Sequence, residues 1–242
     1  IERVRACAPD LIFSFYYRQL LGSDLLTLPR RGAYNLHGSL LPRYRGRAPV
    51  NWAVLCGEPE TGMSLHRMVE KPDAGALVDQ EPVRILPNDT AGAVFAKLVC
   101  AGEVLLQRAV PRMLEGRHTE TPLDLSAGSY FGARRPEDGR IEWGRSAWDI
   151  HNLIRAVAPP YPGAFTHVGD RRLEVLGSWY EGEGAAEPVP RVYWDDDACY
   201  ADCRDGRRIR LTRIDCAGET LTKEAFALRF GTDAVYFTTG AP

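Results

Sequence analysis

In the stretch Tyr34-Asn35-Leu36-His37 a carboxamide and an imidazole stand two positions apart. On an extended strand that spacing sends both side chains to one face. An imidazole takes up and releases a proton near neutral pH, and a fixed carboxamide can donate a hydrogen bond to a developing oxyanion. Together they suit acyl transfer to an amine. They equally suit a structural histidine beside a turn-capping asparagine, and an isolated N-x-H does not decide between the two. A carboxylate follows in Val69-Glu70-Lys71-Pro72-Asp73-Ala74-Gly75-Ala76, where a proline before and Ala-Gly after fix Asp73 in a tight loop. Placed beside His37 it would stabilise the imidazolium and raise the histidine pKa. Taken alone, Asp73 is also a good turn-forming residue.

Other chemistries find less support. The five histidines, His37, His66, His118, His151 and His167, form no H-E-x-x-H, and His66 with Glu70 lacks a third ligand, so no metal is expected. A single D-A-G has no second D-[ST]-G to make an aspartic-protease pair, and there is no P-loop or G-x-G-x-x-G. Arg43, Arg45 and Arg47 alternate between Pro42 and Pro49. They read either as anion-binding guanidinium groups or as an edge facing water. Arg204, Arg207, Arg208, Arg210 and Arg213 read as a solvated strand face offset by Asp195, Asp196 and Asp197, or as an RNA contact.

The elements that must hold these residues alternate strand and helix. Strands are expected over Leu11–Tyr17, Ala33–His37, Gly62–Val69 and Gly75–Arg84, with a helix over Pro49–Cys56. A second helix follows the Asn88-Asp89-Thr90 cap and carries apolar residues from Val94 to Leu114. The pattern predicts an α/β layer with a largely parallel sheet, and Asn35 and His37 at its carboxyl edge, where such sheets bind ligands. Residues 123–140 read as a linker between a first domain, 1–122, and a second, 141–242. The second opens with a helix, "AWDIHNLIRAV", capped by Ser146, and continues in short alternating runs that suggest a small β-barrel. The opening helix end and strand look like half of a β-α-β unit, so first β-α units are expected before residue 1.

With 30 basic and 32 acidic residues the net charge is −2, so no overall excess favours nucleic acid or an anionic membrane. No apolar run reaches the roughly 18 residues a membrane helix needs. Six scattered cysteines without a C-x-x-C pair fit a reducing cytoplasm.

The order "NLHGSLLPRYRGRAP" then "GEPETGMSLHRMVEKPDAGALV" resembles the 10-formyltetrahydrofolate-dependent formyltransferases, whose signature joins an N-x-H, an S-L-L-P loop with R-G, and a later D-x-G. The resemblance implies a Rossmann-like formyltransferase domain followed by a small OB-like β-barrel. It implies His37 as the proton-transfer group, Asn35 as the oxyanion stabiliser and Asp73 as the carboxylate that tunes His37. The folate co-substrate would be held by Gln19, Leu20 and Leu21, by Arg47, and by Val69, Glu70, Lys71, Pro72 and Asp73. Within the family, "FSFYYR" and "YFGARRPEDGRIEW" look most like enzymes that formylate nucleotide-linked amino sugars, UDP-4-amino-4-deoxy-L-arabinose in particular. A fused or cooperating sugar-nucleotide dehydrogenase-decarboxylase is implied as a partner. Methionyl-tRNA, a small amino acid such as hydroxyornithine, or a non-catalytic fragment binding folate or sugar nucleotide are the competing readings.

Overall fold

The structure, a computed structural model, describes residues 1–17, 19–187 and 189–238. They form two compact units, one within residues 1–53, 59–85 and 93–133, the other within 54–58, 86–92 and 134–238. In chain order the elements are α1 (Glu2–Ala6), β1 (Ile12–Phe15), α2 (Ser23–Leu26), β2 (Ala33–His37), β3 (Arg45–Gly46), α3 (Pro49–Leu55), β4 (Glu60–Arg67), β5 (Leu77–Arg84), α4 (Ala91–Leu114) and β6 (Tyr130–Phe131).

A four-stranded sheet in the order β1-β2-β4-β5 organises the first unit. β1 and β2 pair in parallel, with Ile12 opposite Ala33. β4 runs against β2 and β5 against β4, so the sheet is mixed and the expected largely parallel arrangement is confined to one pair. The reason is chain length. Residues 68–76 between β4 and β5 are fewer than the dozen or more that a parallel crossover requires, and a hairpin results.

β2 and β4 alternate in polarity, and the alternation divides the sheet into two faces. Register places Leu36 opposite Leu65, Asn35 opposite His66 and His37 opposite Ser64. Tyr34, Leu36, Met63 and Leu65 are buried on one face. α4 approaches closely there: a Cβ at Gly102 would lie 3.0 Å from the Leu36 side chain and 3.5 Å from Met63. The other face carries Asn35, His37, Ser64 and His66. At the start of β2, Glu120 receives hydrogen bonds from Arg67 Nε and Nη2 and from the Tyr34 hydroxyl, each at 2.7 Å. The bond with Arg67 is the main reason the Glu120 pKa falls to about 2, and that with Tyr34 adds to it.

The second unit contains α5 (Ala147–Val157), β7 (Ala164–Val168), β8 (Arg171–Trp179), β9 (Arg191–Asp195), β10 (Ala198–Asp202), β11 (Arg208–Cys216), β12 (Glu219–Thr220), α6 (Lys223–Phe230) and β13 (Ala234–Tyr236). Ser146 caps α5 as expected, its Oγ accepting from the Asp149 N–H at 3.1 Å. The strands form one antiparallel sheet in the order β13-β9-β10-β11-β8-β7, curled into a half-barrel over a core that includes Ile150, Ile154, Leu173, Val192, Ile209 and Phe226. A register shift between β11 and β8 near Arg213 supports the curl. The basic strand face is neutralised differently from the expectation: Arg208 pairs with Glu183 and Arg213 with Asp215, rather than with Asp195 to Asp197. Among the described residues, no helix is long and apolar enough to cross a membrane.

The 68–76 hairpin depends on Gly75, where an added Cβ would stand 1.9 Å from the Arg67 carbonyl oxygen. Gly75→Ala is therefore expected to cost about 2 kcal/mol, read as a fall in the urea midpoint. Gly144→Ala, whose Cβ would meet nothing within 4 Å, should leave the midpoint nearly unchanged.

Candidate functional site

Two loops close over the polar face of the sheet. One, residues 38–47, leaves the carboxyl end of β2. The other is the β4–β5 hairpin loop, which starts beside the opposite end of β2, where the Met68 N–H donates to the Ala33 carbonyl at 2.7 Å.

Ser64 pins the first loop. Its Oγ donates to Ser39 O at 2.6 Å and accepts from the Leu41 N–H at 3.0 Å and from Gln80 Nε2 at 2.8 Å. Further along, the Tyr44 N–H donates to Ser129 Oγ at 2.8 Å and the Arg45 N–H to Ser129 O at 3.0 Å. The Arg47 N–H reaches Phe131 O at 2.9 Å, and the Trp52 indole donates to Gly132 O at 3.0 Å. Residues 129–132, in the stretch expected as a linker, thus form a brace for the loop.

The clamped loops bring Asn35, His37 and Asp73 together. Asp73 Oδ1 lies 3.6 Å from His37 Nδ1, and its Oδ2 accepts the Gly46 N–H at 2.9 Å. Asp73 has a positive φ of 50°, a left-handed conformation that aspartate tolerates better than most side chains. His37 is buried, and its Nε2 lies 2.9 Å from the Tyr44 carbonyl. A carbonyl only accepts, so the neutral ring carries its hydrogen on Nε2 and turns the Nδ1 lone pair toward Asp73.

His66 completes the group, and the sequence reading considered it only as a metal ligand. It is fully buried, with Nε2 3.3 Å from Asn35 Nδ2 and 3.6 Å from Asp73 Oδ1. Its Nδ1 faces the Arg67 carbonyl at 2.9 Å. Nδ1 therefore bears the hydrogen in the neutral ring, and Nε2 accepts from the Asn35 amide. That bond orients the carboxamide and leaves it a second N–H. The signal was present in Met63-Ser64-Leu65-His66, whose alternation puts His66 in the same row as Ser64 and, across the pair, Asn35 and His37.

The electrostatics correct one expectation. Burial is the largest influence on His37 and lowers its pKa; Asp73 and the Tyr44 carbonyl oppose the fall without reversing it. The expected net rise does not occur, because the site is drier than the sequence revealed. For Asp73, burial alone would raise the pKa. The nearness of His66 and His37 and the hydrogen bond from the Gly46 N–H outweigh it and hold the Asp73 pKa below the ordinary carboxylate value.

The remaining site candidates are distributed around this centre. Arg47 is exposed and directly follows Gly46. Val69, Glu70 and Lys71 are exposed on the second loop, with Pro72 half-buried beside Asp73. Gln19, Leu20 and Leu21 follow β1, the parallel neighbour of β2, at the carboxyl end of that pair; Gln19 accepts from the Tyr17 hydroxyl at 3.3 Å and Leu20 is exposed. Of the two readings open for Arg45, its burial excludes the one that faces water. Among the described residues, no group of three His, Cys, Asp or Glu side chains is arranged to hold a metal.

An N-x-H strand with a clamped aspartate, on an α/β unit followed by an antiparallel half-barrel, defines a group-transfer enzyme of the formyltransferase type. The chain belongs to the formyl transferase family: the model described as "Formyl transferase" matches residues 1–110, and that of its "C-terminal domain" matches residues 134–230. The fold is shared with an N-formyltransferase from Helicobacter canadensis solved with folinic acid and dTDP-3-aminofucose (TM-score 0.70, 21% identity, covering 82% of this chain and 72% of that one). It is shared with WlaRD, a sugar 3N-formyltransferase solved with dTDP and 5-N-formyl-THF (TM-score 0.69, 19% identity, 89% and 77% covered). HypX from Aquifex aeolicus, solved with tetrahydrofolic acid, also matches (TM-score 0.70, 18% identity, 92% and 39% covered).

The His37 shift has a measurable consequence. The unfolded chain binds a proton on this residue near pH 6.5, whereas the folded chain does so only at lower pH, so His37 erodes stability as pH falls through 6.5. In urea unfolding between pH 7.5 and 5.5, His37→Gln should flatten that dependence by up to about 1.4 kcal/mol per pH unit. His151, whose pKa burial pushes down to about 4, retains a similar contribution.

Proposed function

We propose that the chain transfers a formyl group from 10-formyltetrahydrofolate to the amino group of a nucleotide-linked amino sugar. The observation that carries this reading is the convergence of His37 Nδ1 and Asp73 Oδ1 at 3.6 Å beside an Asn35 amide oriented by His66. The folate donor is supported by the family and by the folate-type ligands named for the neighbours above. The sugar acceptor is supported by the dTDP-sugar and dTDP named for two of them. The finer assignment, UDP-4-amino-4-deoxy-L-arabinose, rests on sequence resemblance to the formyltransferase domain of the bifunctional polymyxin-resistance protein ArnA. With it come the associated roles in lipid A modification and a dehydrogenase-decarboxylase partner.

In this mechanism the neutral sugar amine attacks the formyl carbon, and the carbonyl oxygen gains charge that the second Asn35 N–H stabilises. The proton leaving the amine passes to His37 Nδ1, and the new imidazolium faces the ionised Asp73. Collapse breaks the bond to N10, which takes the proton from His37 and departs as tetrahydrofolate. Gln19, Leu20, Leu21, Arg47 and the loop Val69 to Asp73 would hold the folate. A buried His37 with a lowered pKa is in its basic form at pH 7, as the first proton transfer requires.

The test is formyl transfer from 10-formyltetrahydrofolate to UDP-4-amino-4-deoxy-L-arabinose, to dTDP-3-aminofucose and to methionyl-tRNA. Transfer to a nucleotide amino sugar is expected. Transfer to methionyl-tRNA alone would sink the proposal. His37→Ala should lower kcat by roughly 10³-fold and Asn35→Ala by roughly 10²-fold. Asp73→Asn removes the charge that opposes the His37 shift, so the acid limb of kcat/KM should move to lower pH with reduced kcat.

A further inference from the structure

Arg45 is a buried arginine. It is only 8% exposed, and its Nε is sealed from solvent with no hydrogen-bond partner. Among the described residues no carboxylate pairs with it. Its guanidinium carbon lies 5.9 Å from the centre of the aromatic Tyr130 ring. The other two buried arginines, Arg155 and Arg191, are satisfied differently. Arg191 pairs with Asp202 and Glu187, and Arg155 donates to Asn152 Oδ1 and the Asp89 carbonyl. An unpaired buried charge opposes folding, so its presence at one braced position is a structural anomaly.

The position of Arg45 in the chain gives the anomaly a direction. The residue before it, Tyr44, faces His37 with its carbonyl, and the residue after it, Gly46, holds Asp73 with its N–H. The Arg45 backbone is fixed to Ser129 and pairs with Tyr130 across β3 and β6. The Arg45 backbone is thus fixed between two contacts of the proton-transfer pair, and a guanidinium can receive an oxyanion through two parallel N–H bonds. We infer that Arg45 is the receptor for an oxyanion group of a bound substrate, its charge completed only when that ligand is present. The oxyanion is the diphosphate of the nucleotide or a carboxylate of the folate tail. The choice of probes rests on the formyl-transfer reading; the anion site itself does not.

Calorimetric titration of the full chain with UDP, inorganic pyrophosphate and 5-formyltetrahydrofolate tests the assignment, comparing wild type with Arg45→Met and, as a surface control, Arg43→Met. Arg45→Met should weaken at least one probe tenfold or more while Arg43→Met stays within twofold. Loss of UDP and pyrophosphate identifies the diphosphate; loss of the folate alone identifies the carboxylate. Without ligand, the melting temperature of Arg45→Met should equal or exceed that of wild type, since a buried unpaired charge has been removed, while the rise produced by the affected probe should disappear. If Arg45→Met does not fold, Arg45→Lys, which keeps the charge but not the planar fork, should weaken the same probe several-fold. Wild-type affinities for all probes in the folded variant, no binding of any probe by wild type, or a lowered melting temperature with unchanged binding would each overturn the inference. Arg45-dependent UDP binding without any formylated product would instead count against the formyl-transfer reading alone.

Discussion

The hydrogen bond from the Gly46 N–H to Asp73 Oδ2 joins two loops that leave the sheet beside opposite ends of β2. Without it, the carboxylate would have to be held by two histidines at 3.6 Å alone, separations too long for direct hydrogen bonds. A carboxylate this enclosed stays ionised only if hydrogen bonds and opposite charge replace lost water. The backbone donor supplies part of that replacement at a position no side-chain rotamer can alter. Once Asp73 is ionised and fixed, a carboxylate faces His37 Nδ1, and the loops have a common anchor.

Much around that anchor serves to keep the Gly46 N–H in place. Ser64 bonds the start of its loop, while Ser129 and Phe131 bond its middle and end. His66 relays the order of the sheet to Asn35, since its own tautomer is set by the Arg67 carbonyl. At the far end of the same strands, the Arg67–Glu120–Tyr34 cluster fastens the place where the second loop begins. The apolar face under α4 thus provides rigidity, and the polar face converts it into orientation.

What was legible in the sequence was mostly local. β2 occupies Ala33–His37 as read, because its alternation is strong, and α5 starts after Ser146 because a serine cap acts within three residues. The N-x-H and D-A-G motifs were recognisable as motifs. Their meeting through Gly46 was not, since it depends on how two loops fold back over a face. The reversed direction of β4 was hidden because a buried strand reads alike either way, although the short 68–76 connection carried the clue. His66 was in plain view in the Met63 to His66 alternation. It was missed because its function depends on the residue across the pair. The sign of the His37 shift required knowing its burial, and the burial of Arg45 required knowing that Tyr130 stands over it; both depend on chain segments distant in sequence.

Two loops that start beside opposite ends of β2, one from β2 itself and one from β4, also set how the site fails. Either end of β2 can fray while the sheet remains intact, and fraying at either end pulls Asp73 and Gly46 apart. The lifetime of the assembled centre is therefore governed by the weaker of two local openings rather than by global unfolding. Activity would then be a more sensitive gauge of this domain's integrity than its secondary structure, and amide exchange at Gly46 would report the opening directly.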